Sequence, residues 1–381
     1  MKKFMSVLLS LTMLVALVGC GGSKPAEPAA ETTEAAADSA ETKEGEEKTE
    51  GDAAEEPAAE ASSDKPLKVA LIYSGFLGDK SFNDSAHEGL LRAQSEFGIE
   101  FKEMESKEPA DWESNFVAMA SEDYDLVIGV STQFQEIMQK HCPSFPDQKF
   151  AIIDGIVEGD NIVSSTFAQN EGSFLAGAAA AMFTTKTDIE GVNEEKIIGW
   201  VGGMDIPVLH DFFVGYEQGA KYIDPDIQIL QSFAGTFNDP LKGKELTLTQ
   251  YSQGADIVMN VASGTGVGIL EAAKEAGKYA VGVDLNQDDV YPGSILTSML
   301  KNVDQGVYLA VESVINGTYE GNTTTYLDIN NGGVGLTDMS VMKTALGDKF
   351  PNDILDKVAE LEEKVRSGEI VVEAYEGFGR K

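Results

Sequence analysis

Two aspartates end apolar runs that are typical of buried strands. Asp154 ends the run AIID, and Asp284 ends the run VGVD. A single aspartate at the end of a strand is more often a turn residue than a binding residue. Two of them at equivalent places in repeating halves favour a site for a neutral polar ligand, because carboxylates accept hydrogen bonds from hydroxyl and N–H groups.

Aromatic residues stand in loops near the same predicted strand ends. Phe82 lies in the polar loop 74–89, and Phe212 and Phe213 follow a Gly-Gly turn at 202–203. An exposed ring suits stacking on a flat ligand, which is worth roughly 1–3 kcal/mol for a nucleobase. From spacing alone, packing in the core is an equally good interpretation of Phe82. Of the adjacent pair, we expect one ring in a cleft and the other in the core.

Other polar groups in these loops have both a structural and a binding interpretation. Three residues could simply cap the helix that follows the first loop, namely Ser81, Asn83 and Asp84. Backbone N–H groups around Gly264, in the turn 262–268, could hold a ligand oxygen. This turn lacks the ending of a P-loop and the glycine spacing of a dinucleotide site, so it does not predict phosphate binding. Lys301 could donate to a ribose hydroxyl, although a lysine more often lies at the surface.

Catalytic and metal-binding patterns are missing from the sequence. The three histidines, at positions 87, 141 and 210, are scattered and do not have the spacing of metal ligands. No GxSxG motif occurs, and Cys142 has only His141 beside it, which does not make a nucleophile and base pair. The sequence therefore predicts a protein that is not an enzyme and needs no metal or cofactor.

Short apolar runs alternate with amphipathic stretches from Lys68 onward. Several runs are apolar without alternation, which indicates strands covered on both faces. The alternation predicts βαβ units, and therefore an α/β fold with parallel sheets and right-handed crossovers. The predicted strands are 68–73, 99–104, 125–130, 149–154, 161–167, 196–202, 227–233, 255–261, 279–284 and 294–300.

Ten strands are too many for one sheet of ordinary size, and the strand-helix pattern repeats after the fifth strand. We therefore predict two doubly wound lobes joined by a hinge, with residues 66–170 plus 301–325 in the N-terminal lobe and 171–300 plus 326–381 in the C-terminal lobe. Ligands bind beyond the carboxyl ends of parallel strands. Two such sheets that face each other across a cleft form a site that closes by hinge motion.

The N-terminus has the layout of a secretory signal, with Lys2 and Lys3 followed by an apolar run that reaches Cys20. This run is shorter than the roughly 20 residues that cross a bilayer. The segment 17–20, Leu-Val-Gly-Cys, resembles the bacterial lipobox, in which the cysteine is diacylated and becomes the new N-terminus. We therefore predict a signal peptide at 1–19 and lipid, such as palmitate, on Cys20. The protein would be anchored at the cell membrane and face outside the cytoplasm.

An acidic segment, 20–65, follows the predicted signal peptide. It has no aromatic residue and no Val, Ile or Leu, which predicts a disordered tether. Residues 21–65 contain 14 Asp and Glu against 4 Lys, and the rest of the mature chain still carries a net charge of -28. A nucleic-acid partner is excluded as a class, because binding to phosphate backbones needs clustered Lys and Arg.

Five motifs occur together and in order over Lys68 to about Gly317. They are GDKSFNDSAHEG, FAQNEGSFLAGAAAAMF, GWVGGMDIPVL with GYEQGA, AVGVDLNQ, and ILTSMLKNVDQGV. Together they resemble the basic membrane protein family, which comprises substrate-binding lipoproteins of ABC importers with a type I periplasmic-binding fold. The resemblance implies a receptor for purine nucleosides that delivers them to a membrane permease driven by ATPase subunits.

The resemblance also implies roles for single residues. Phe82 would stack on the base, with Phe212 as the opposing ring, and Asn83 and Asp154 would bond the edge of the base. The ribose would be held by Asp284, Lys301 and the backbone around Gly264. Asp79 and Ser81 would belong to the loop that lines the pocket. The chain departs from the family at 237–239, where Phe-Asn-Asp stands in place of a Trp-Asp pair.

Other functions stay open at the level of sequence. A receptor for a sugar or an autoinducer would use the same fold. An exported nucleoside hydrolase would need turnover, and a surface adhesin would bind host macromolecules instead of a small molecule.

Overall fold

The computed structural model describes residues 65–378. The predicted signal peptide, the predicted lipid attachment site Cys20 and the predicted acidic tether up to residue 64 lie outside the described residues. Among residues 65–378, no helix is both long enough and apolar enough to cross a membrane.

Among the described residues, the first sheet contains six parallel strands: β1 Lys68–Tyr73, β2 Glu100–Glu105, β3 Leu126–Val130, β4 Lys149–Ile153, β5 Ile162–Phe167 and β11 Thr323–Leu327. Their order in the sheet is β11-β5-β4-β3-β1-β2.

The second sheet, within residues 65–378, also contains six strands: β6 Ile197–Gly202, β7 Gln228–Phe233, β8 Ala255–Val261, β9 Tyr279–Asp284, β10 Ile295–Lys301 and β12 Val334–Leu336. Their order is β12-β10-β9-β8-β6-β7. The strand β12 runs antiparallel to β10, at the edge of a sheet whose other pairs are parallel.

Helices connect and cover the strands. They are α1 Phe82–Phe97, α2 Pro109–Ala120, α3 Gln135–His141, α4 Gln169–Phe183, α5 Pro207–Ile223, α6 Pro240–Ser252, α7 Gly266–Ala276, α8 Val303–Ile315, α9 Ser340–Leu346 and α10 Asn352–Arg366. The ten predicted strands correspond to β1 to β10 and are confirmed, whereas β11 and β12 were not predicted.

Both sheets are covered on both faces. Successive side chains along a strand point in opposite directions, and in the central strands both sets of side chains are buried. In β1, Leu71 packs in the cluster that contains Leu90 of α1, and its neighbour Ile72 packs in the cluster that contains Phe116 of α2. This double burial explains why the strands read as continuous apolar runs instead of alternating ones.

The helices α4 and α5 approach each other closely because glycines face backbone atoms at their contact. A Cβ atom added to Gly219 of α5 would collide with the carbonyl oxygen of Phe174, and one added to Gly177 of α4 would collide with the carbonyl oxygen of Tyr216. This packing fixes the position of α5, whose first turns reach the site described below.

The chain passes between the two sheets three times, after β5, after β10 and after β11. The passages lie side by side, since the Ala168 N–H donates to the Leu327 carbonyl at 2.9 Å and the Asn302 N–H donates to the Gly333 carbonyl at 2.9 Å. The third passage begins after Leu327, two residues beyond the predicted boundary at 325. We propose the division into two lobes on the strength of these sheets and passages.

Candidate functional site

The candidate site is a cavity at the carboxyl ends of the strands of both sheets. Loops after strands of the first sheet form one side, and loops after strands of the second sheet form the other. Six of the nine predicted ligand-binding residues line the cavity, namely Phe82, Asn83, Asp154, Phe212, Asp284 and Lys301.

The two strand-end aspartates have the same unusual backbone conformation. Asp154 follows β4 with φ 67°, and Asp284 ends β9 with φ 65°. This left-handed region is uncommon for residues with a side chain and costs of order 1–3 kcal/mol. In both sheets the strained residue turns its carboxylate into the cavity, which is where such strain is typically retained for function.

Lys301 is the cation of the cavity. It ends β10, is only 1% exposed, and its Nζ lies 2.7 Å from Oδ1 of Asp154. The ammonium lies 5.6 Å from the centroid of the Phe82 ring and 5.1 Å from that of Phe212. Burial therefore excludes the common surface role of a lysine, and the ion pair and the ring faces compensate for lost hydration.

Asp284 has a strongly perturbed acidity. Burial is the main reason that its pKa is raised to about 7, while Lys301 and the Ser81 hydroxyl oppose the shift and the carboxylates of Asp79 and Asp154 add to it. Burial also raises the pKa of Asp154, against the effect of Lys301. The cavity is thus rich in acceptors and poor in free positive charge, which disfavours an anionic ligand.

Asn83 presents an open acceptor. Its side chain is 4% exposed, and Nδ2 donates to Oδ2 of Asp79 at 2.9 Å. Since a carboxylate accepts but does not donate, this bond identifies the amide atom facing Asp79 as Nδ2 and leaves Oδ1 as the other atom. Within residues 65–378, Oδ1 of Asn83 has no hydrogen-bond partner, although it is buried. A buried acceptor of this kind fits a donor on a ligand.

The two adjacent phenylalanines of α5 have different environments. Phe212 is 3% exposed and lines the cavity. Phe213 packs edge-to-face on Trp200, with ring centroids 5.5 Å apart. Since Phe82 enters from the first sheet and Phe212 from the second, the cavity has an aromatic ring on each side.

Asp79 and Ser81 do not line the cavity but shape its wall. Asp79 accepts hydrogen bonds from the backbone N–H groups of Ser81 and Asn83, at 2.9 and 3.0 Å. Asp79 therefore satisfies the first amides of α1, while Ser81 is the N-cap residue but makes no capping bond with its side chain. The Ser81 hydroxyl instead donates to Asp284 in the opposite wall.

Gly264 also lies outside the lining, in a single 3-10 turn, Ser263–Thr265. A Cβ atom at this position would be 2.7 Å from Cζ of Phe76 and 3.1 Å from the Phe237 carbonyl oxygen. The glycine thus allows a ring from the first sheet to approach the second. Its neighbours Ala262 and Ser263 do line the cavity.

Residues 67–376 match the family of PnrA-like ABC transporter substrate-binding proteins, Bmp. The chain belongs to this family. It is 31% identical to basic membrane protein A2 of Borrelia garinii over 322 residues, which cover 82% of this chain and 90% of the relative. It is 33% identical to an uncharacterized lipoprotein of Pyrococcus abyssi, with coverage of 81% and 84%.

Solved structures agree with this assignment. A crystal structure of an ABC transporter solute-binding protein from Aeropyrum pernix superimposes with a TM-score of 0.74 at 32% identity, and the match covers 81% of this chain and 94% of that one. A solute-binding protein from Conexibacter woesei matches with a TM-score of 0.61. The predicted family and the α/β type I periplasmic-binding fold are confirmed. A Bmp protein of this kind binds a small molecule and acts with a membrane permease.

Sequence reasoning missed several groups in the wall of this Bmp protein. Ser131, Thr132 and Gln133 line the cavity directly after β3. Their signal was available, because the carboxyl end of β3 lies at the same sheet edge as those of β1 and β4. Phe237 and Asn238 also line the cavity, at the place where the sequence departs from the family pattern.

Two further features of the Bmp protein bear on chemistry. Among residues 65–378, no group of three or more His, Cys, Asp and Glu is placed to hold a metal ion. Cys142 is buried, and burial raises the pKa of its thiol to about 12. It has therefore the character of a packed core residue instead of a reactive thiol.

Proposed function

We propose that this protein is the nucleoside receptor of an ABC importer and that purine nucleosides, such as guanosine, inosine or adenosine, are its ligands. The observation that carries the proposal is the combination of two aromatic rings, Phe82 after the first sheet's β1 and Phe212 after the second sheet's β6, with buried acceptors in one cavity. Binding would occur by closure of the two lobes, with no chemical step, and the permease would receive the released nucleoside.

The base would occupy the aromatic part of the cavity. Stacking on Phe82 and Phe212 favours a flat ligand and does not depend on hydrogen-bond pattern. Oδ1 of Asn83 and the carboxylate of Asp154 would accept hydrogen bonds from N–H groups at the base edge. A pyranose offers aliphatic faces and hydroxyl groups but no N–H edge, so these features support a nucleoside over a sugar.

The ribose would lie against Asp284 and Lys301. A carboxylate accepts from a ribose hydroxyl and an ammonium donates to one, so the pair can bind both ends of a diol. The backbone of Ala262 and Ser263, beside Gly264, is the nearby part of the wall.

The charge of the cavity supports a nucleoside over a nucleotide. The ammonium of Lys301 is already paired with Asp154, and a second carboxylate, Asp284, stands in the same cavity. A phosphate would meet these carboxylates without a free cation, which is unfavourable in a buried site.

Mass spectrometry of the small molecules released when natively purified protein is denatured tests the proposal. We expect a purine nucleoside, released intact. A released sugar in its place would contradict the proposal, and release of a free base with ribose would favour a nucleoside hydrolase.

The proposal includes a membrane anchor through lipid on Cys20. This anchor would keep the receptor beside its permease at the cell membrane, facing outside the cytoplasm. The lipobox-like segment 17–20 and the Pyrococcus relative described as a lipoprotein support it. Labelling of cells with a palmitate analogue should modify the chain but not a Cys20→Ser variant, and equal labelling of both would contradict the anchor.

A further inference from the structure

Three hydrogen bonds join the loop 79–81, after β1, to loops of the second sheet. The Ser263 hydroxyl donates to Oδ2 of Asp79 at 2.7 Å, and the Ser81 hydroxyl donates to Asp284. In the third bond, Nε2 of Gln287 donates to the Lys80 carbonyl oxygen at 2.8 Å. Neither of these two residues lines the cavity.

The loop that carries the Lys80 carbonyl is held in one conformation. Gly78 has φ 94° and Lys80 has φ 54°, so two of its residues are left-handed. Asp84 accepts hydrogen bonds from both of their N–H groups, at 2.7 and 2.8 Å. Asp79 accepts from the amides of Ser81 and Asn83, so hydrogen bonds within the loop fix the direction of the Lys80 carbonyl.

Gln287 is equally well fixed by the second sheet. It is 2% exposed, and its Oε1 accepts from the Val283 N–H at 3.0 Å and from Nδ2 of Asn260 at 3.3 Å. These bonds orient the amide so that Nε2 points out of the second sheet toward Lys80. Gly282 makes room for it, since a Cβ atom there would be 2.8 Å from Oε1 of Gln287.

We propose that Gln287 is a positioning residue for ligand capture, which holds the two lobes closed through Lys80 without touching the ligand. Gln287 is not part of the cavity lining. Its bond to Lys80 forms only when the two sheets are brought together, so it adds to the stability of the closed arrangement. The affinity of a receptor that must close is scaled by the population of its closed form. Loss of this bond should therefore weaken all ligands by one common factor and speed their release.

The variant Gln287→Glu tests this inference, because it keeps the size of the side chain and the acceptor for Val283 but replaces the donor that faces Lys80. At about pH 8 the new carboxylate would face a carbonyl oxygen, and we expect Kd and the dissociation rate to rise by about tenfold, equivalent to about 1.4 kcal/mol. At about pH 5 a protonated carboxyl can donate to Lys80, so the ratio of variant to wild-type Kd should shrink.

Gln250→Glu is the matched control. Gln250 is also 2% exposed, but its Nε2 donates within the second sheet, to the Trp200 carbonyl and to the Ser232 hydroxyl, both at 3.0 Å. We expect this variant to lower thermal stability without the faster, pH-dependent ligand release. Guanosine, adenosine and ribose serve as probes of binding to the full-length chain. If neither nucleoside binds, the proposed ligand is contradicted, and the Kd and dissociation rate of ribose then test the role of Gln287.

Equal dissociation rates for wild type and Gln287→Glu at about pH 8, on whichever probe binds, would overturn the inference. So would a loss that is the same at both pH values and matches that of Gln250→Glu, because it would indicate general destabilisation. If no probe binds, deuterium exchange of the backbone amides in 78–84 replaces the binding measurement. Exchange that is equally slow in wild type and in Gln287→Glu would also overturn the inference.

Discussion

At the scale of single residues, the site combines one buried ammonium with several buried carboxyl groups. Lys301 pairs with Asp154, while Asp284 bonds the Ser81 hydroxyl and Asp79 bonds the amides of its own loop. These carboxylate oxygens can accept further hydrogen bonds, and a ligand rich in hydroxyl and N–H groups can donate them. The same arrangement repels a ligand with negative charge.

The acidity of Asp284 predicts how binding depends on pH. The ionised carboxylate would be the stronger acceptor for a ribose hydroxyl, and the raised pKa of about 7 means that Asp284 is partly protonated near neutrality. Affinity should therefore rise with pH, by up to about tenfold per unit below pH 7, and level off above about pH 8. Calorimetric titrations with a purine nucleoside between about pH 5.5 and about pH 8.5 measure this.

The variant Asp284→Asn is the control for this pH dependence. It should bind more weakly at about pH 8 and show a flatter profile, because the amide does not titrate. A wild-type affinity that is constant or falls with rising pH would be incompatible with the role given to Asp284.

Part of the site could be predicted at the residue scale, and part could not. Phe82, Asp154 and Asp284 follow predicted strands, so chain position alone placed them at the sheet edge that lines the cavity. The roles of Asp79 and Ser81 depend on contacts with the capped loop and with the opposite wall, which no local pattern records.

At the scale of elements, the central strands were predictable because burial on both faces leaves continuous apolar runs. The two missed strands lack that signature. Thr323–Leu327 is an edge strand whose first three residues are exposed threonines, and Val334–Leu336 has only three residues. Both are held by pairing with distant strands, β5 and β10, and not by their own composition.

The contact of α4 with α5 yields a prediction about stability. In Gly219→Ala the new methyl group would collide with the Phe174 carbonyl oxygen, so the free energy of unfolding should fall by about 1–3 kcal/mol. Gly335→Ala is the control, since a Cβ atom there meets no atom within 4 Å. Urea denaturation of the two variants measures the difference, and equal midpoints would show that the helices separate without cost.

Displacement of α5 also reaches the site, because Phe212 projects from this helix into the cavity. Gly219→Ala is therefore expected to weaken ligand binding as well as stability, although the substituted residue does not line the cavity. Unfolding and binding measured on the same sample separate these two effects.

At the scale of the whole molecule, the part of the chain that the structure describes forms two six-stranded sheets that meet at their carboxyl ends and are connected by three adjacent chain passages. The family match and the solved relatives give such a molecule the role of a substrate-binding protein of an ABC transporter. With the proposed division into two lobes, the cleft between them can close on its ligand by hinge motion. Direct bonds between the walls, such as that of Gln287 to Lys80, then contribute to the closed form.

Calorimetric titration of the full-length chain with guanosine, inosine, adenosine, ribose and a purine nucleoside monophosphate tests the central claim most directly. The account predicts saturable 1:1 binding of at least one purine nucleoside, with far weaker binding of ribose and of the monophosphate and with the nucleoside recovered intact. Saturable binding of ribose or another sugar, without heat from any nucleoside, would contradict it.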